Sequence, residues 1–303
     1  MKRKTIPGEL YLLLAALIWG GAFVAQSAGA DKLGPFTLNG IRSVLAAAVL
    51  EIVICAKGDK ISKRERIQLL TGGAICGLCL FAASNVQQLA IGFVDENGMK
   101  QAVGKVSFMT SLYLVFVPVF GTFFGKKTGA KTWFCLALSV VGMFLLTEAY
   151  RGFSIGRGDA LSLLCSVLFA FHIMSVGRYA PGVDCFRLSQ IQFLVSGILS
   201  VICAAAFETP EWSAIWEAKG EILYLGILSS AGAFTFQVLG QKTCKPQITC
   251  IILSMESVFG AVAGFLIMGE SMNLSQISGS ALILIAVLIL QISGDRENSV
   301  FAE

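Results

Sequence analysis

Ten apolar stretches, each about long enough to cross a lipid bilayer, fill most of this 303-residue chain. A membrane-spanning helix needs roughly 20 apolar residues at about 1.5 Å of rise each. Only 14% of the residues are charged, whereas soluble domains carry about 25%. We therefore predict an all-α transmembrane protein with ten helices. The predicted spans are residues 8–28, 35–56, 67–90, 100–125, 132–148, 159–177, 188–207, 220–239, 247–268 and 274–293.

The basic residues are distributed unevenly between the two sets of predicted loops. With a cytoplasmic amino terminus, sixteen Lys and Arg residues fall on the cytoplasmic side and five on the opposite side. Cytoplasmic loops of membrane proteins carry the excess of positive charge. The pattern thus predicts a multi-pass protein of the cell (inner, cytoplasmic) membrane with both termini in the cytoplasm.

The chain also resembles itself at a distance of about half its length. At a shift of 150 residues, Gly8 and Leu13-Leu14 meet Gly158 and Leu163-Leu164, and a second similarity appears at a shift of 144. We predict two five-helix repeats, residues 1–150 and 151–303. Because five is odd, the two copies must insert in opposite orientations. Such inverted repeats are typical of secondary transporters, whose substrate site lies near the midplane.

Three ionisable residues lie within the predicted spans, where a charge is costly and usually functional. Glu256 lies about nine residues, or ~14 Å, into the ninth span, near the bilayer centre. It is the candidate for proton coupling, with a hydrogen bond to a neighbouring helix as the equal alternative. Arg42 and Lys105 lie roughly 8–10 Å from the outer side. They either snorkel to the surface or line a cavity as a cationic pair that attracts an anionic group.

Uncharged polar and aromatic residues extend this candidate site. The amides can orient a polar solute or bond neighbouring helices together, and the aromatic rings can wall a cavity or pack in the core. The predicted substrate-binding residues are Trp19, Arg42, Asn85, Gln88, Lys105, Tyr113, Phe169, Gln237 and Glu256.

We expect no metal, cofactor or catalytic centre. His172 is the single histidine. It has no cysteine or carboxylate companions, and its position predicts a hydrogen bond near the cytoplasmic end of the sixth span. Cys76-x-x-Cys79 lies in an apolar helix without basic neighbours and is interpreted as packing. An intramembrane enzyme would need a paired catalytic set that the sequence lacks.

Several segments resemble a known family. They are Trp19-Gly20-Gly21-Ala22-Phe23, Asn39-Gly40-Ile41-Arg42, Phe108-Met109-Thr110-Ser111-Leu112-Tyr113 and Ser254-Met255-Glu256-Ser257-Val258-Phe259 leading to Gly269-Glu270. With them, the chain resembles the EamA family of the drug/metabolite transporter superfamily over essentially its whole length. The resemblance implies a ten-helix inner-membrane permease, many of whose relatives export amino acids or other small metabolites. The first half has Lys126-Lys127 where the second has Gly269-Glu270, so that glutamate receives no transport role.

The sequence thus favours a secondary transporter that moves a small polar or amphiphilic metabolite, such as an amino acid, by alternating access, with export as the favoured direction. Multidrug or cation efflux and facilitated uptake are the alternatives, and a channel or a sensor is the rival of another class. No G-x-x-x-x-G-K-[ST] loop for a nucleotide is present. The expected partners are the substrate and the lipid bilayer, with a homodimer as a further candidate and no nucleic acid.

Overall fold

The chain folds into a bundle of helices in the computed structural model, which describes residues 6–58, 61–94, 98, 103–152, 156–268 and 272–300. The structure is 84% helix, and no β-strand occurs among the described residues. Within the described segments, eight helices are long and apolar enough to cross a membrane. They are α1 (Gly8–Ala30), α2 (Pro35–Lys57), α3 (Lys63–Ile91), α4 (Val103–Phe123), α6 (Arg157–Tyr179), α7 (Cys185–Phe207), α8 (Lys219–Gln241) and α9 (Pro246–Leu253 followed by Met255–Met268).

Two further predicted spans fall on shorter apolar helices. These are α5 (Ala130–Leu146) and α10 (Leu274–Val300), whose apolar part ends at Leu290. A short helix, Trp212–Glu217, lies between α7 and α8, outside the ten predicted spans. The segment Gly269-Glu270 lies outside the described residues.

Four of the long helices are not continuous, which the apolar pattern did not predict. Helix α1 is interrupted at Gly21, α4 at Leu112 and α9 at Ser254. Helix α8 is π-helical over Tyr224–Phe234. Interruptions and π-segments inside helices are frequent at functional sites. All four are adjacent to residues of the cavity described below.

The bundle has two ends that can be told apart by contacts between loops. At the first end, Gly8 lies against Thr243, and Lys57 pairs with Asp184 at 3.3 Å. We call this the basic end, because the predicted cytoplasmic loops lie there. At the opposite end, here the far end, Lys32 pairs with Glu221 at 2.6 Å.

Hydrogen bonds and an ion pair join helices α2 and α7 at both ends. At the far end, the Glu208 carboxylate accepts hydrogen bonds from the Phe36 and Thr37 backbone nitrogens at 2.9 and 2.8 Å. A carboxylate at a helix amino terminus satisfies free N–H groups and complements the helix dipole. At the basic end, Asp184 caps α7 through the Arg187 nitrogen at 2.9 Å and pairs with Lys57. These contacts hold α2 against α7 in this conformation.

Glycines bring other helices into backbone contact. Gly20 of α1 lies against Gly260 of α9, and Gly142 of α5 lies against Gly279 of α10. In a membrane, helices associate by such close packing, because burial from lipid yields little hydrophobic gain. Gly260 belongs to a Gly-x-x-x-Gly sequence, whereas Gly142 and Gly279 do not.

The Gly279 contact leads to a stability prediction. A Cβ atom there would lie 2.5 Å from the Leu146 backbone nitrogen and would meet the Gly142 carbonyl oxygen. Backbone atoms cannot move aside as the end of a flexible side chain can. We therefore expect Gly279→Ala to lower the free energy of unfolding by about 2 kcal/mol. Gly220→Ala is the matched control, since nothing lies within 4 Å of a Cβ at Gly220. Thermal unfolding in detergent measures both, and equal stability of the two variants would contradict this packing.

Candidate functional site

A cavity lies in the middle of the bundle, between residues from both halves of the chain. Its volume is about 60 Å³, several times the roughly 10–15 Å³ that one water molecule requires. The lining residues are Trp19, Ala22, Phe23, Gln26, Arg42, Gln87, Thr110, Tyr113, Phe169, Ile173, Ser229, Phe234, Gln237, Leu253 and Glu256.

Arg42 contributes a buried cation to this cavity. The residue is 5% exposed, and its guanidinium group forms no hydrogen bond or ion pair within the part of the chain that the structure describes. Buried charges are normally paired, because an unpaired one loses its hydration without compensation. The arrangement therefore favours an anionic group in the cavity next to Arg42.

Glu256 lines the same cavity from α9. It is 7% exposed and is the second residue of the half-helix Met255–Met268. No salt bridge to Glu256 occurs among the residues that the structure covers. Tyr113, the first residue of the half-helix Tyr113–Phe123, lines the same cavity as Glu256. The two interruptions thus place two half-helix amino termini at the cavity, a geometry that binds anionic groups in broken-helix transporters.

Aromatic rings form one wall of the cavity. Trp19 and Phe234 meet edge to face with their centroids 4.7 Å apart, and the Trp19 Nε1 donates to the Ser229 carbonyl at 3.3 Å. That carbonyl belongs to the π-helical segment of α8. Phe169 of α6 lies on the same cavity surface. The wall offers apolar area for a substrate side chain or flat contact for an organic cation.

A cluster of amides forms another part of the lining. The Gln26 Nε2 donates to Gln87 Oε1 at 3.0 Å and to Gln88 Oε1 at 3.3 Å. Gln88 in turn donates to the Gln26 carbonyl at 2.9 Å. Gln26 and Gln87 line the cavity, whereas Gln88 lies behind them and orients Gln26. The predicted site included Gln88 but neither Gln26 nor Gln87, which line the cavity.

The structure brings six of the nine predicted residues to the cavity, namely Trp19, Arg42, Tyr113, Phe169, Gln237 and Glu256. Gln88, Asn85 and Lys105 are not among its lining residues. Asn85 bonds to Asn39 at 3.1 Å and to Ser200 at 2.9 Å, which links α3 to α2 and α7. Lys105 lies 2.8 Å from Asp159 at the start of α6. The cationic pair of Arg42 with Lys105 is therefore not formed in this structure.

The Lys105 contact predicts a structural effect of its replacement. Lys105→Met removes the ammonium group that lies 2.8 Å from the Asp159 carboxylate, whose side chain is 4% exposed. We expect a loss of about 1–2 kcal/mol in unfolding free energy, since the ammonium is partly exposed. Ligand affinity of the cavity should stay within about twofold. Thermal unfolding with and without ligand measures both effects. A large loss of affinity would show that Lys105 belongs to the binding site.

His172 differs from its sequence-based interpretation. The ring is completely buried and lies 3.1 Å from Gln192 Oε1 on α7, rather than bonding at a helix end. Among the described residues, no group of three His, Cys, Asp or Glu side chains could hold a metal ion.

Known proteins resemble this chain in sequence and in fold. An uncharacterized transporter of Archaeoglobus fulgidus is 26% identical over 297 residues, which cover 95% of this chain and 87% of that protein. The uncharacterized transporter YwfM of Bacillus subtilis is 21% identical over 96% of both chains. A protein of known crystal structure superposes with a TM-score of 0.76 at 18% identity, covering 95% of this chain and 98% of the other, which supports the fold.

The family model for EamA-like transporters matches the chain twice. The matches cover residues 6–148 and 156–292, and so leave only short segments unmatched. This protein is therefore a member of the EamA-like transporter family, within the drug/metabolite transporter superfamily.

Proposed function

We propose that this membrane protein is a secondary transporter that moves a small metabolite with an anionic group, such as a zwitterionic amino acid, across the cytoplasmic membrane. One observation carries the proposal: Arg42 presents a buried guanidinium, without a partner among the described residues, to a cavity lined by both halves. A carboxylate forms a bidentate pair with that group. Glu256 then accepts either the substrate ammonium or a proton.

Ten spans in two inverted halves are the architecture we propose for this transport. Helices α2 and α7 both contain 23 residues and begin 150 positions apart, at Pro35 and Cys185. Contacts between helices also follow the repeat. The third helix of the first half, α3, packs on the first helix of the second half, α6, and in the same way α8 of the second half packs on α1 of the first. Helix α5, with 17 residues, reaches about 26 Å at 1.5 Å per residue, close to the roughly 30 Å of bilayer hydrocarbon.

The basic end faces the cytoplasm in this proposal, because positive loops stay on that side. Alternating access then moves one half against the other around the cavity. Export is the direction that the family resemblance suggests. Transporter relatives and the absence of a nucleotide loop in the sequence support gradient-driven transport rather than an enzymatic reaction.

A second candidate, efflux of organic cations, is favoured by Glu256. Its buried carboxylate has no cationic partner among the described side chains and shares the cavity with Trp19 and Phe234. A carboxylate together with aromatic faces can bind a lipophilic cation. Arg42 opposes this candidate, since it would repel the same ligand.

A thermal-shift screen separates the two candidates. The purified protein is heated with each of the common amino acids, with small carboxylates and with tetraphenylphosphonium. A ligand at 100 times its dissociation constant adds about 2.7 kcal/mol to stability. We expect stabilisation by one or more amino acids, followed by counterflow of the labelled amino acid in proteoliposomes. Stabilisation by the cation alone would overturn the proposal in favour of cation efflux.

A further inference from the structure

A second group of polar side chains is buried between α6, α7 and α8, on the basic side of the cavity. His172 and Gln192 face each other at 3.1 Å, and both are completely buried. His172 Nδ1, Gln192 Nε2, Ser189 Oγ and Thr235 Oγ1 have no hydrogen-bond partner among the described residues. We call these four residues the inner polar cluster.

Unsatisfied polar atoms are rare in the interior of native proteins. Each one has lost its hydrogen bonds to water without gaining a partner, which destabilises the conformation that buries it. Four such residues on three adjacent helices therefore indicate a surface whose polar atoms form hydrogen bonds in another conformation. A packing role alone would favour apolar side chains at these positions.

The repeat relates this cluster to the lining that faces the cavity. At the spacing of 150 residues between the two family matches, Arg42 corresponds to Gln192 and Asn39 to Ser189. At the same spacing, Asn85 corresponds to Thr235, and Gln87 to Gln237.

The first member of each pair lies in the half of its helix nearer the far end. There, Arg42 and Gln87 line the cavity, and Asn39 donates to Asn85 at 3.1 Å. The second member lies in the corresponding helix nearer the basic end. The inner polar cluster is thus the counterpart, nearer the basic end, of a polar region in which Arg42 faces the central cavity and Asn39 and Asn85 are bonded behind it.

An aromatic ring separates the inner polar cluster from the cavity. Phe234 lines the cavity, and its centroid lies 5.9 Å from His172 and 4.7 Å from Trp19. Phe193 also packs edge to face with Phe234, with the ring centroids 5.4 Å apart. Phe234 is also the last residue of the π-helical segment of α8. A change of that segment to α-helix would alter the rotation of Phe234 about the helix axis.

We propose that the inner polar cluster, together with Gln237, lines a second cargo-binding compartment, closed in this conformation, that opens to the basic end when Phe234 moves. It takes the same polar solute as the central cavity and binds it through the Gln192 amide, the imidazole and two hydroxyls. This inference rests on the proposed transport function. In the second compartment a neutral amide stands in place of the Arg42 cation.

Accessibility of position 189 tests the proposal without a known cargo. Ser189→Cys is exposed to a membrane-impermeant maleimide in inside-out and in right-side-out vesicles, and mass spectrometry quantifies the labelled peptide. The matched control is Ser139→Cys, because Ser139 of α5 is also completely buried with an unpartnered hydroxyl. We expect position 189 to react about tenfold faster than position 139, from the cytoplasmic side only, through a minor open state.

Reaction at position 189 no faster than at position 139, or faster from the outer side, would overturn the compartment. Gln192→Cys replaces Ser189→Cys if the latter is not folded. Ala22→Cys in the cavity lining distinguishes the two proposals, since a transport cavity should react from at least one side. If position 22 reacts and position 189 does not, only the second compartment is wrong. If position 22 is unreactive from both sides, the central cavity fails as a transport site.

Discussion

Arg42→Met is expected to weaken ligand binding about 100-fold and, at the same time, to raise the melting temperature of the empty protein. The guanidinium is 5% exposed and has no partner among the described residues, so its burial costs stability. The methionine side chain keeps much of the volume without the charge. The loss of a charged hydrogen bond of up to about 3 kcal/mol corresponds to roughly a 100-fold weaker affinity.

Thermal unfolding and ligand titration of the same preparation measure both effects. Arg42→Lys should retain part of the affinity, because an ammonium keeps the charge but loses the bidentate geometry. Arg64→Met, at an exposed position at the start of α3, should change neither property. If Arg42→Met destabilises the empty protein and leaves affinity unchanged, Arg42 has a structural role and the proposed binding site is wrong.

Glu256→Gln is expected to remove the response of transport to a pH gradient while exchange of cargo across the membrane continues. The amide has the size of the carboxyl group but cannot take up or release a proton. A gradient of one pH unit is worth about 1.36 kcal/mol per proton and supports about a tenfold concentration ratio of the cargo. We therefore expect this ratio to fall to one in the variant.

Proteoliposomes with and without an imposed pH gradient supply the measurement. Glu51→Gln is the control, since Glu51 is exposed on α2 and does not line the cavity. It should retain the wild-type ratio. A Glu256→Gln protein that still accumulates cargo in response to the gradient would exclude this residue as the coupling carboxylate.

The all-helical membrane fold could be predicted from hydropathy, because each span must satisfy its backbone internally in lipid. The positions of the helix interruptions could not be predicted from hydropathy. Leu112 and Ser254 carry no proline or glycine signal, and their positions depend on contacts between helices.

The sequence could identify the intramembrane polar residues of the candidate site. It could not show which of them face the same cavity. Adjacent residues on a helix differ by about 100° in direction, so Gln87 and Gln88 face different neighbours. Without the rotation of α3, the sequence could not tell which of them lines a cavity. Lys105 and Asp159 are separated by 54 positions, and nothing local indicated that they would pair. Glu256 and Arg42 were identifiable because charge within a span is rare.

The opposed orientation of the two repeats is tested most directly at two equivalent loops. Asp31 and Pro181 are both exposed and are 150 positions apart, in the α1–α2 and α6–α7 connections. Asp31→Cys and Pro181→Cys are reacted with an impermeant maleimide in sealed vesicles of known orientation. Inverted repeats predict that position 31 reacts only from outside and position 181 only from the cytoplasm. Reaction of both from the same side would contradict two inverted halves around a shared cavity.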